Sequence, residues 1–244
     1  MLQGIKRELE LSGDPGRAKI LSSFFKTGKG QYGEGDVFLG ITVPEQRKIA
    51  KKYTLLTLKQ IKELLQSKIH ERRLTALLIL VEQYKLAQRT KELKQQKAIV
   101  DFYLQHTEYV NNWDLVDLTA DKILGQYLLD KKKERDILLK LSNSSILWER
   151  RIAIVATFAF IRNHEYTFTL RIAERLLDDT HDLIHKAVGW MLREVGKRDL
   201  IVEEKFLEKH AHTMPRTMLR YAIERFNKKK RNEYMNMGTK RKLQ

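Results

Sequence analysis

Apolar residues recur at spacings of three and four along most of the chain, which is the period of an amphipathic α-helix. The three prolines, Pro15, Pro44 and Pro215, stand where helices can begin, because proline is tolerated in a first turn and disrupts a helix interior. The pattern predicts helices near residues 2–11, 15–26, 44–53, 57–67, 70–86, 90–106, 112–129, 131–141, 145–161, 166–178, 182–196, 200–209 and 215–233.

These predicted helices come in consecutive pairs, with a period of about 35–40 residues and short connections. That rhythm is typical of HEAT-like or armadillo-like solenoids, in which each helix pair packs on the next. We therefore predict an all-α repeat fold with a concave basic groove. A single HEAT-like domain would cover residues 1–233, followed by a basic C-terminal tail at 234–244. No strict repeat motif is visible, so a globular helical bundle is the alternative.

A glycine-rich segment, Gly28–Asp36, interrupts the helical pattern and holds four of the twelve glycines. It continues into Val37–Ile41, and the two segments together predict a flexible loop with at most a short hairpin near 30–42. A plain connector between helices and a loop that touches DNA are both consistent with this composition.

The chain carries 47 Lys and Arg residues against 31 Asp and Glu, a formal net charge of +16. Such an excess attracts a polyanion, which could be a nucleic acid, an anionic membrane or an acidic protein. A basic surface without a partner is the alternative. Basic runs such as those at 228–231 and 240–242 are mostly solvated or disordered tails, and any DNA contact there would lack sequence specificity.

No cysteine is present, which excludes disulfides and metal sites with cysteine ligands. The N-terminus lacks the apolar core of a signal peptide, and no apolar run approaches the roughly 20 residues of a membrane span. These observations predict a soluble, cytoplasmic protein with no membrane partner.

The predicted helix 182–196 has two distinct faces. Ile184, Val188, Met191 and Val195 form an apolar stripe that should be buried. The other face carries a tryptophan among three cations, Lys186, Trp190, Arg193 and Lys197. Cations neutralise phosphates, and an aromatic ring stacks on a base or a cation. Packing of Trp190 against a neighbouring repeat explains the pattern equally well.

Two other apolar stripes are interrupted by charged residues of opposite sign. Asp117 lies one turn after Trp113 in a helix that Asn112 can cap, and Arg151 interrupts the stripe of helix 145–161. The two charges could form one buried ion pair. They could instead be a carboxylate and a phosphate-binding guanidinium in one groove. The residues themselves leave both options open.

His181 and His185 are spaced like two zinc ligands, but Asp182 stands where the HExxH motif has glutamate. No third ligand is evident. The sequence therefore predicts no metal site.

Four segments resemble motifs of the AlkD-type family of DNA alkylation-repair glycosylases. They are FLGITVPE at 38–45, VNNWDLVD at 110–117, LWERRIA at 147–153 and HKAVGWMLRE at 185–194. The matches keep their order over about residues 20–225, nearly the whole chain. Each motif alone is weak, and the four together are specific.

The resemblance implies a HEAT-like fold that wraps duplex DNA and hydrolyses the N-glycosidic bond of cationic alkylated purines, such as 3-methyladenine and 7-methylguanine. It implies that Asp117 is the catalytic carboxylate, that Trp113 and Trp190 lie against the nucleotide's sugar and backbone, and that Arg151 binds a phosphate. It also implies that the base need not be flipped. We expect no cofactor or metal, a monomer, and DNA contacts from Lys186, Arg193 and Lys197.

The chain departs from the family pattern in three places, one of which is the Gly28–Asp36 loop, which is longer than in the best-known members. Thr42 replaces a common glutamine, and Asp182 and Leu183 stand where an aromatic pair is expected. A second function therefore remains open, a non-catalytic HEAT-like module that binds damaged or branched DNA. A scaffold for an acidic protein is a third, but it does not explain the matched tryptophans and aspartate.

Overall fold

The computed structural model describes residues 1–237 and divides the chain into two compact units. Unit 1 is Met1–Ile123, and unit 2 is Leu124–Gln244, described as far as Met237. The last helix reaches Met237, four residues into the segment assigned to the tail, whereas the basic run at 240–242 lies outside the described residues. A single domain over 1–233 stays a prediction.

Unit 1 is helical, as the apolar periodicity predicts. Its α-helices are Leu2–Leu11 (α1), Pro15–Phe24 (α2), Val43–Lys52 (α3), Leu58–Leu65 (α4), His70–Arg89 (α5), Leu93–Gln105 (α6) and Trp113–Asp117 (α7), with a 3₁₀ turn at Thr107–Tyr109. Helices α3, α4 and α6 all pack on α5. The core of the unit therefore surrounds α5, whose Leu77, Ile79 and Leu80 are fully buried.

Local sequence signals set where the helices of unit 1 begin. The Asp14 carboxylate accepts the Arg17 amide at 2.9 Å, one residue before Pro15 opens α2. Thr42 and Glu45 form a capping box at the start of α3, where Pro44 occupies the first turn. Each cap satisfies amide groups that have no partner inside the helix. The predicted starts near Pro15 and Pro44 are confirmed.

Unit 2 is also helical. Its α-helices are Gln126–Asp130 (α8), Asp136–Ser142 (α9), Leu147–Ala156 (α10), Phe158–Arg162 (α11), Thr167–Arg175 (α12), Asp182–Gly196 (α13), Leu200–His210 (α14), Arg216–Ala222 (α15) and Lys228–Met237 (α16), with 3₁₀ turns at Lys132–Glu134 and Ile223–Arg225. Helix α13 lies at the centre, packed by α10, α14 and α15. Its four predicted apolar positions, from Ile184 to Val195, are fully buried, which confirms that stripe.

Three predicted long helices are interrupted, and the one predicted over 215–233 is divided into α15, the 3₁₀ turn Ile223–Arg225 and α16. The helix predicted over 112–129 ends at Asp117 and continues through a π-helical turn, Asp121–Gly125, into α8. The helix predicted over 145–161 breaks at Thr157. At the breaks in the helices predicted over 112–129 and 145–161, a buried threonine hydroxyl donates to a backbone carbonyl of the preceding turn, Thr119 to Leu115 and Thr157 to Ile154. Such bonds bend helices, and period counting does not detect them.

The segment 30–42, for which the sequence predicts a flexible loop with at most a short hairpin, forms no hairpin. Among the described residues there is no strand, and one isolated parallel bridge joins Val37 to Ile69. The Val37 amide donates to the Lys68 carbonyl, and the Val37 carbonyl accepts the His70 amide. The segment therefore pairs with the approach to α5 rather than with itself.

Candidate functional site

Unit 1 contains a cavity of about 440 Å³ with mainly aromatic and aliphatic walls. It lies where the end of α2, the start of α3, the start of α5 and helix α7 come together. The predicted site residues Trp113 and Asp117 both line it, beside Phe24, Phe25 and Phe38. The spacing of four residues that placed Trp113 and Asp117 on one helix face thus brings both to the same cavity.

Trp113 is oriented by aromatic neighbours and by the cap of its helix. Its indole stacks on Phe25 with centroids 5.2 Å apart and planes 11° apart, and Phe24 meets it edge-on at 5.9 Å. Phe25 in turn stacks on Phe38 at 5.1 Å. The buried Asn112 side chain accepts the Trp113 amide at 2.8 Å, which confirms the predicted cap. These contacts leave the indole few alternative orientations.

Asp117 is the last residue of α7 and is half-buried. Its charge acts on the buried Tyr103, whose pKa is raised mainly by burial and further by the nearby charges of Asp121 and Asp117. The Tyr103 hydroxyl shares a 3.2 Å hydrogen bond with Thr119, the residue at the helix break. Asp117 therefore sits on a helix end whose geometry is set by buried polar contacts.

A buried charged network lies behind Trp113, and sequence reasoning missed it. The His70 ring contacts the Asp114 carboxylate at 2.8 Å through Nε2 and the Asp36 carboxylate at 3.2 Å through Nδ1. Arg73 donates to Asp36 at 2.6 Å and to the Ser67 carbonyl at 3.0 Å. We call Asp36, His70, Arg73 and Asp114 the His70 network. It joins the glycine-rich segment, the start of α5 and the start of α7.

The contacts within the network keep His70 protonated at neutral pH. Burial alone would lower the pKa of His70, but the charge and hydrogen bond of Asp114 and the hydrogen bond to Asp36 raise it to about 9. Burial raises the pKa of Asp36, yet the contacts with His70 and Arg73 hold it below its ordinary value. A protonated His70 thus lies between two carboxylates and anchors the first turn of α7.

Glu71 holds the segment that precedes α3. Its buried carboxylate accepts the amides of Leu39 at 2.9 Å, Gly40 at 2.7 Å and Ile41 at 3.3 Å. Gly40 has φ +85°, and a Cβ there would overlap the Asp14 carbonyl oxygen, so glycine is required. The backbone at 39–41, inside the 38–45 motif, is thus held by a carboxylate about thirty residues further along the chain.

Trp190 belongs to unit 2, on the partly exposed face of α13. It is half-buried, and its ring lies 5.7 Å from that of Phe158 with an interplanar angle of 54°. The preceding Gly189 permits close packing of α15, since a Cβ there would overlap the Met218 carbonyl oxygen and the Tyr221 side chain. In the 185–194 motif, Gly189 therefore allows α13 and α15 to approach closely, and Trp190 beside it supplies an aromatic ring.

The three cations on the outer face predicted for helix 182–196 are each paired with a carboxylate. Lys186 contacts Asp182 at 2.6 Å, Lys197 contacts Glu194 at 2.6 Å, and Arg193 contacts Glu224. The Lys186 and Lys197 side chains remain about one-third exposed. Phosphate binding by these residues stays a prediction and would require them to exchange partners.

Arg151 also belongs to unit 2 and is largely buried in α10. Its Nη1 donates to the Leu183 carbonyl, at the start of α13. Arg151 therefore has a structural contact within unit 2, and its role as a phosphate ligand stays a prediction.

The histidine pair performs local structural roles. His181 caps α13 by accepting the Leu183 amide at 3.1 Å through Nδ1, and the His185 ring is hydrogen-bonded to the Asp179 carbonyl. Within residues 1–237 no group of three or more histidine and acidic side chains is arranged to hold a metal ion.

The chain belongs to the DNA alkylation repair enzyme family, whose members' shared pattern matches residues 5–226. No curated protein matches it. A solved structure described as a predicted DNA alkylation repair enzyme from Enterococcus faecalis is 19% identical, with a TM-score of 0.69, covering 89% of this chain and 98% of that one.

Two structures from Streptococcus mutans are also similar. AlkD2 is 16% identical with a TM-score of 0.54, covering 97% of this chain and 98% of that one. The smu.31 protein of strain UA159 is 18% identical with a TM-score of 0.53, covering 81% and 92%. At these identities the likeness shows the fold, and it confirms the predicted all-α, HEAT-like repeat class.

Among the described residues, no helix is both long enough and apolar enough to cross a membrane.

Proposed function

We propose that this protein is a DNA glycosylase that hydrolyses the N-glycosidic bond of cationic alkylated purines, such as 3-methyladenine and 7-methylguanine, in duplex DNA. One observation carries the proposal: Asp117 and Trp113 lie on one short helix at the same aromatic cavity. A carboxylate and an indole at one site supply the two groups that favour a developing positive charge.

Cleavage of the N-glycosidic bond requires little of the protein beyond stabilisation of that positive charge. An alkylated purine with a positive charge is already a good leaving group, so protonation by a strong general acid is unnecessary. Breaking the bond moves positive charge onto the sugar. In this proposal the Asp117 carboxylate stabilises that charge and orients the attacking water. The proton of the water passes to Asp117 or to solvent as the new C–O bond forms.

The contacts around the helix support this assignment. Electrostatic stabilisation is effective when the charged group is held in place before the reaction. The stack of Trp113 on Phe25 and the anchoring of Asp114 by His70 both restrict α7. In the proposal, Trp190 contacts the same nucleotide, and Arg151, Lys186, Arg193 and Lys197 neutralise phosphates. A monomer that needs neither metal nor cofactor and acts in the cytoplasm remains our prediction.

The experiment is incubation of the purified protein with duplex DNA methylated at purines, followed by chromatography of released bases. We expect free 3-methyladenine or 7-methylguanine from the methylated duplex and no base from the unmethylated one. A protein that binds the methylated duplex but releases no base over many hours would overturn the proposal in favour of a binding module.

A further inference from the structure

We propose that the groove between α12 and α14 of unit 2 is a docking site for a short acidic segment of a partner protein, which binds through bulky apolar side chains and through its carboxylates. The inference concerns a second surface and does not depend on the proposed function. Neither helix carries a residue that the proposed function assigns to base release or to phosphate binding.

The groove follows one face of each helix. It consists of a cavity of about 580 Å³ and an adjoining cavity of about 440 Å³, which share Thr167, Leu170 and Val202 in their walls. Helix α12 lines the larger cavity with Thr167, Leu170, Arg171 and Glu174. Helix α14 lines it with Val202, Lys205, Phe206 and Lys209. Both sets have the i, i+3, i+4, i+7 spacing of a single helix face. Eight residues of helix span about 10 Å, so the groove accommodates about two turns of a peptide helix.

The floor of the groove is apolar. Phe206 is buried there, and Leu170 and Val202 are half-buried. The two residues that open α14, Leu200 and Ile201, are 50% and 66% exposed directly before Val202. Exposed apolar side chains beside a groove are typical of surfaces that bind another protein. Such grooves receive the apolar side chains of a short segment at the same i, i+3, i+4, i+7 spacing.

The charges at the groove favour an acidic partner. Among the described residues, the larger cavity is lined by three basic side chains of Arg and Lys and by one carboxylate. That carboxylate, Glu174, is paired with Lys209 at 2.7 Å. Arg171 and Lys205 are exposed, and neither forms an ion pair with a carboxylate of residues 1–237. A carboxylate of the partner that lies between them would complete their charge.

The smaller cavity lies at the start of α12 and carries no such excess. Arg135 lies over the Phe160 ring at 4.3 Å and is paired with Glu165 at 2.6 Å. The two charges at this end therefore balance each other. We expect the carboxylates of the partner to lie at the other end of the groove, beside Arg171 and Lys205.

Duplex DNA fits this surface less well than a peptide does. Phosphates are bound by cations, polar side chains and backbone amides, and an apolar floor supplies none of these groups. The bulky apolar side chains of a peptide, in contrast, would bury that floor and gain free energy from it. The combination of an apolar floor and two unpaired cations therefore indicates a protein ligand.

The first test selects ligands for the full chain from random peptides about twelve residues long, enough for about three helical turns. Wild type and the double variant Arg171→Glu/Lys205→Glu are used in parallel. We expect wild type to enrich peptides in which Asp or Glu flanks Leu, Phe or Trp residues three or four positions apart. The variant should enrich Lys or Arg at the same places, a gain that mere loss of structure cannot produce.

The second test measures the affinity of one selected acidic peptide by fluorescence anisotropy. Arg171→Glu/Lys205→Glu should weaken binding by about tenfold or more, because two attractions become repulsions. Val202→Thr keeps the shape of the side chain and should weaken binding by about threefold through lost apolar contact. The control, Lys94→Glu/Lys140→Glu, makes the same change in net charge at exposed sites of α6 and α9 and should stay within about twofold of wild type.

The outcomes distinguish this docking site from DNA binding and from the proposed function. Enriched peptides without acidic residues, no enriched peptide at all, or binding that survives the charge reversal would overturn the proposal. A charge reversal that weakens duplex DNA binding but not peptide binding would assign the surface to nucleic acid instead. Base release from methylated duplex should be the same for Arg171→Glu/Lys205→Glu and wild type, and a protein that releases no base would leave the peptide result unaffected.

Discussion

The two units each contribute one of the predicted tryptophans, and they support it in different ways. Trp113 in unit 1 lies on a stack of aromatic rings, and buried charges anchor the start of its helix. Trp190 in unit 2 lies on a long amphipathic helix whose outer cations are paired at the surface. The surroundings of Trp113 are buried and charged, whereas those of Trp190 are packed on one side and partly exposed to solvent on the other.

This difference indicates that the two units have different roles. A buried network of charges fixes geometry, because moving any member leaves another charge without its partner in a poorly solvated place. Surface ion pairs contribute little to stability and exchange partners easily. We therefore expect unit 1 to set the position of Asp117, and the cations of unit 2 to be available to phosphate.

The largest effect should come from breaking the His70 network. His70→Leu removes the cation between Asp36 and Asp114, leaving two buried carboxylates short of a partner, and should destabilise unit 1 by about 3–5 kcal/mol. Hydrogen exchange should show lost amide protection across residues 1–123, with residues 124–237 changed far less. His212→Leu, at an exposed site, is the control. Equal loss of protection in both units would contradict the comparison.

The His70 network also predicts that the free energy of unfolding depends on pH. The pKa of His70 is raised to about 9 in the folded protein, from an ordinary value of 6.5. Its contribution to stability is therefore complete below about pH 6.5, declines as pH rises, and is gone above about pH 9, a total of ~3 kcal/mol. Denaturant unfolding of wild type and His70→Gln should show a stability gap that narrows over this window. A difference in unfolding free energy that stays constant from pH 6.5 to pH 9 would contradict a charged His70 in the folded protein.

A smaller effect is expected in unit 2. Gly189→Ala places a methyl group against the Met218 carbonyl oxygen and Tyr221, so α13 and α15 must separate, at about 1–3 kcal/mol. The matched control is Gly4→Ala in α1, where the new Cβ meets Tyr53 at ordinary contact distances and should be neutral or slightly stabilising. Thermal unfolding measures both, and an equal response would show that the Gly189 contact is not tight.

The smallest effect on stability should come from the surface cations. Lys186→Gln removes an exposed pair with Asp182 and should cost about 0–0.5 kcal/mol, while lowering the slope of log affinity for duplex DNA against log salt by about one. Lys97→Gln removes a similar pair with Asp101 in α6 and should leave the slope unchanged. If both variants show the same slope of log affinity against log salt, Lys186 does not contact DNA phosphate.

Sequence patterns that extend over one or two helical turns were sufficient to predict much of the fold. The buried stripe of α13, the cap at Asn112 and the helix starts near Pro15 and Pro44 all follow from local spacing. The placement of Trp113 and Asp117 at one cavity follows in the same way, since residues four apart share a helix face.

The rest depends on contacts between distant segments. His70 lies 34 residues from Asp36 and 44 from Asp114, and no pattern in one segment signals that they meet. Glu71 similarly accepts amides about thirty residues earlier, and this contact could not be predicted from the glycine-rich composition of the segment before them. One usable signal was present: Asp114 directly follows Trp113 inside a recognised motif, and a second carboxylate there requires a partner if it is buried.

The measurement that most directly tests the account is the single-turnover rate of base release by Asp117→Asn, with excess protein on a duplex containing 7-methylguanine. The change keeps the size of the side chain and removes its charge. We predict a rate lower by about 10²–10³, comparable to the loss of one oxyanion-hole donor, with DNA affinity unchanged or slightly higher. Asp101→Asn, which removes an exposed carboxylate of α6, should match wild type. A wild-type rate from Asp117→Asn would contradict the catalytic role of this carboxylate.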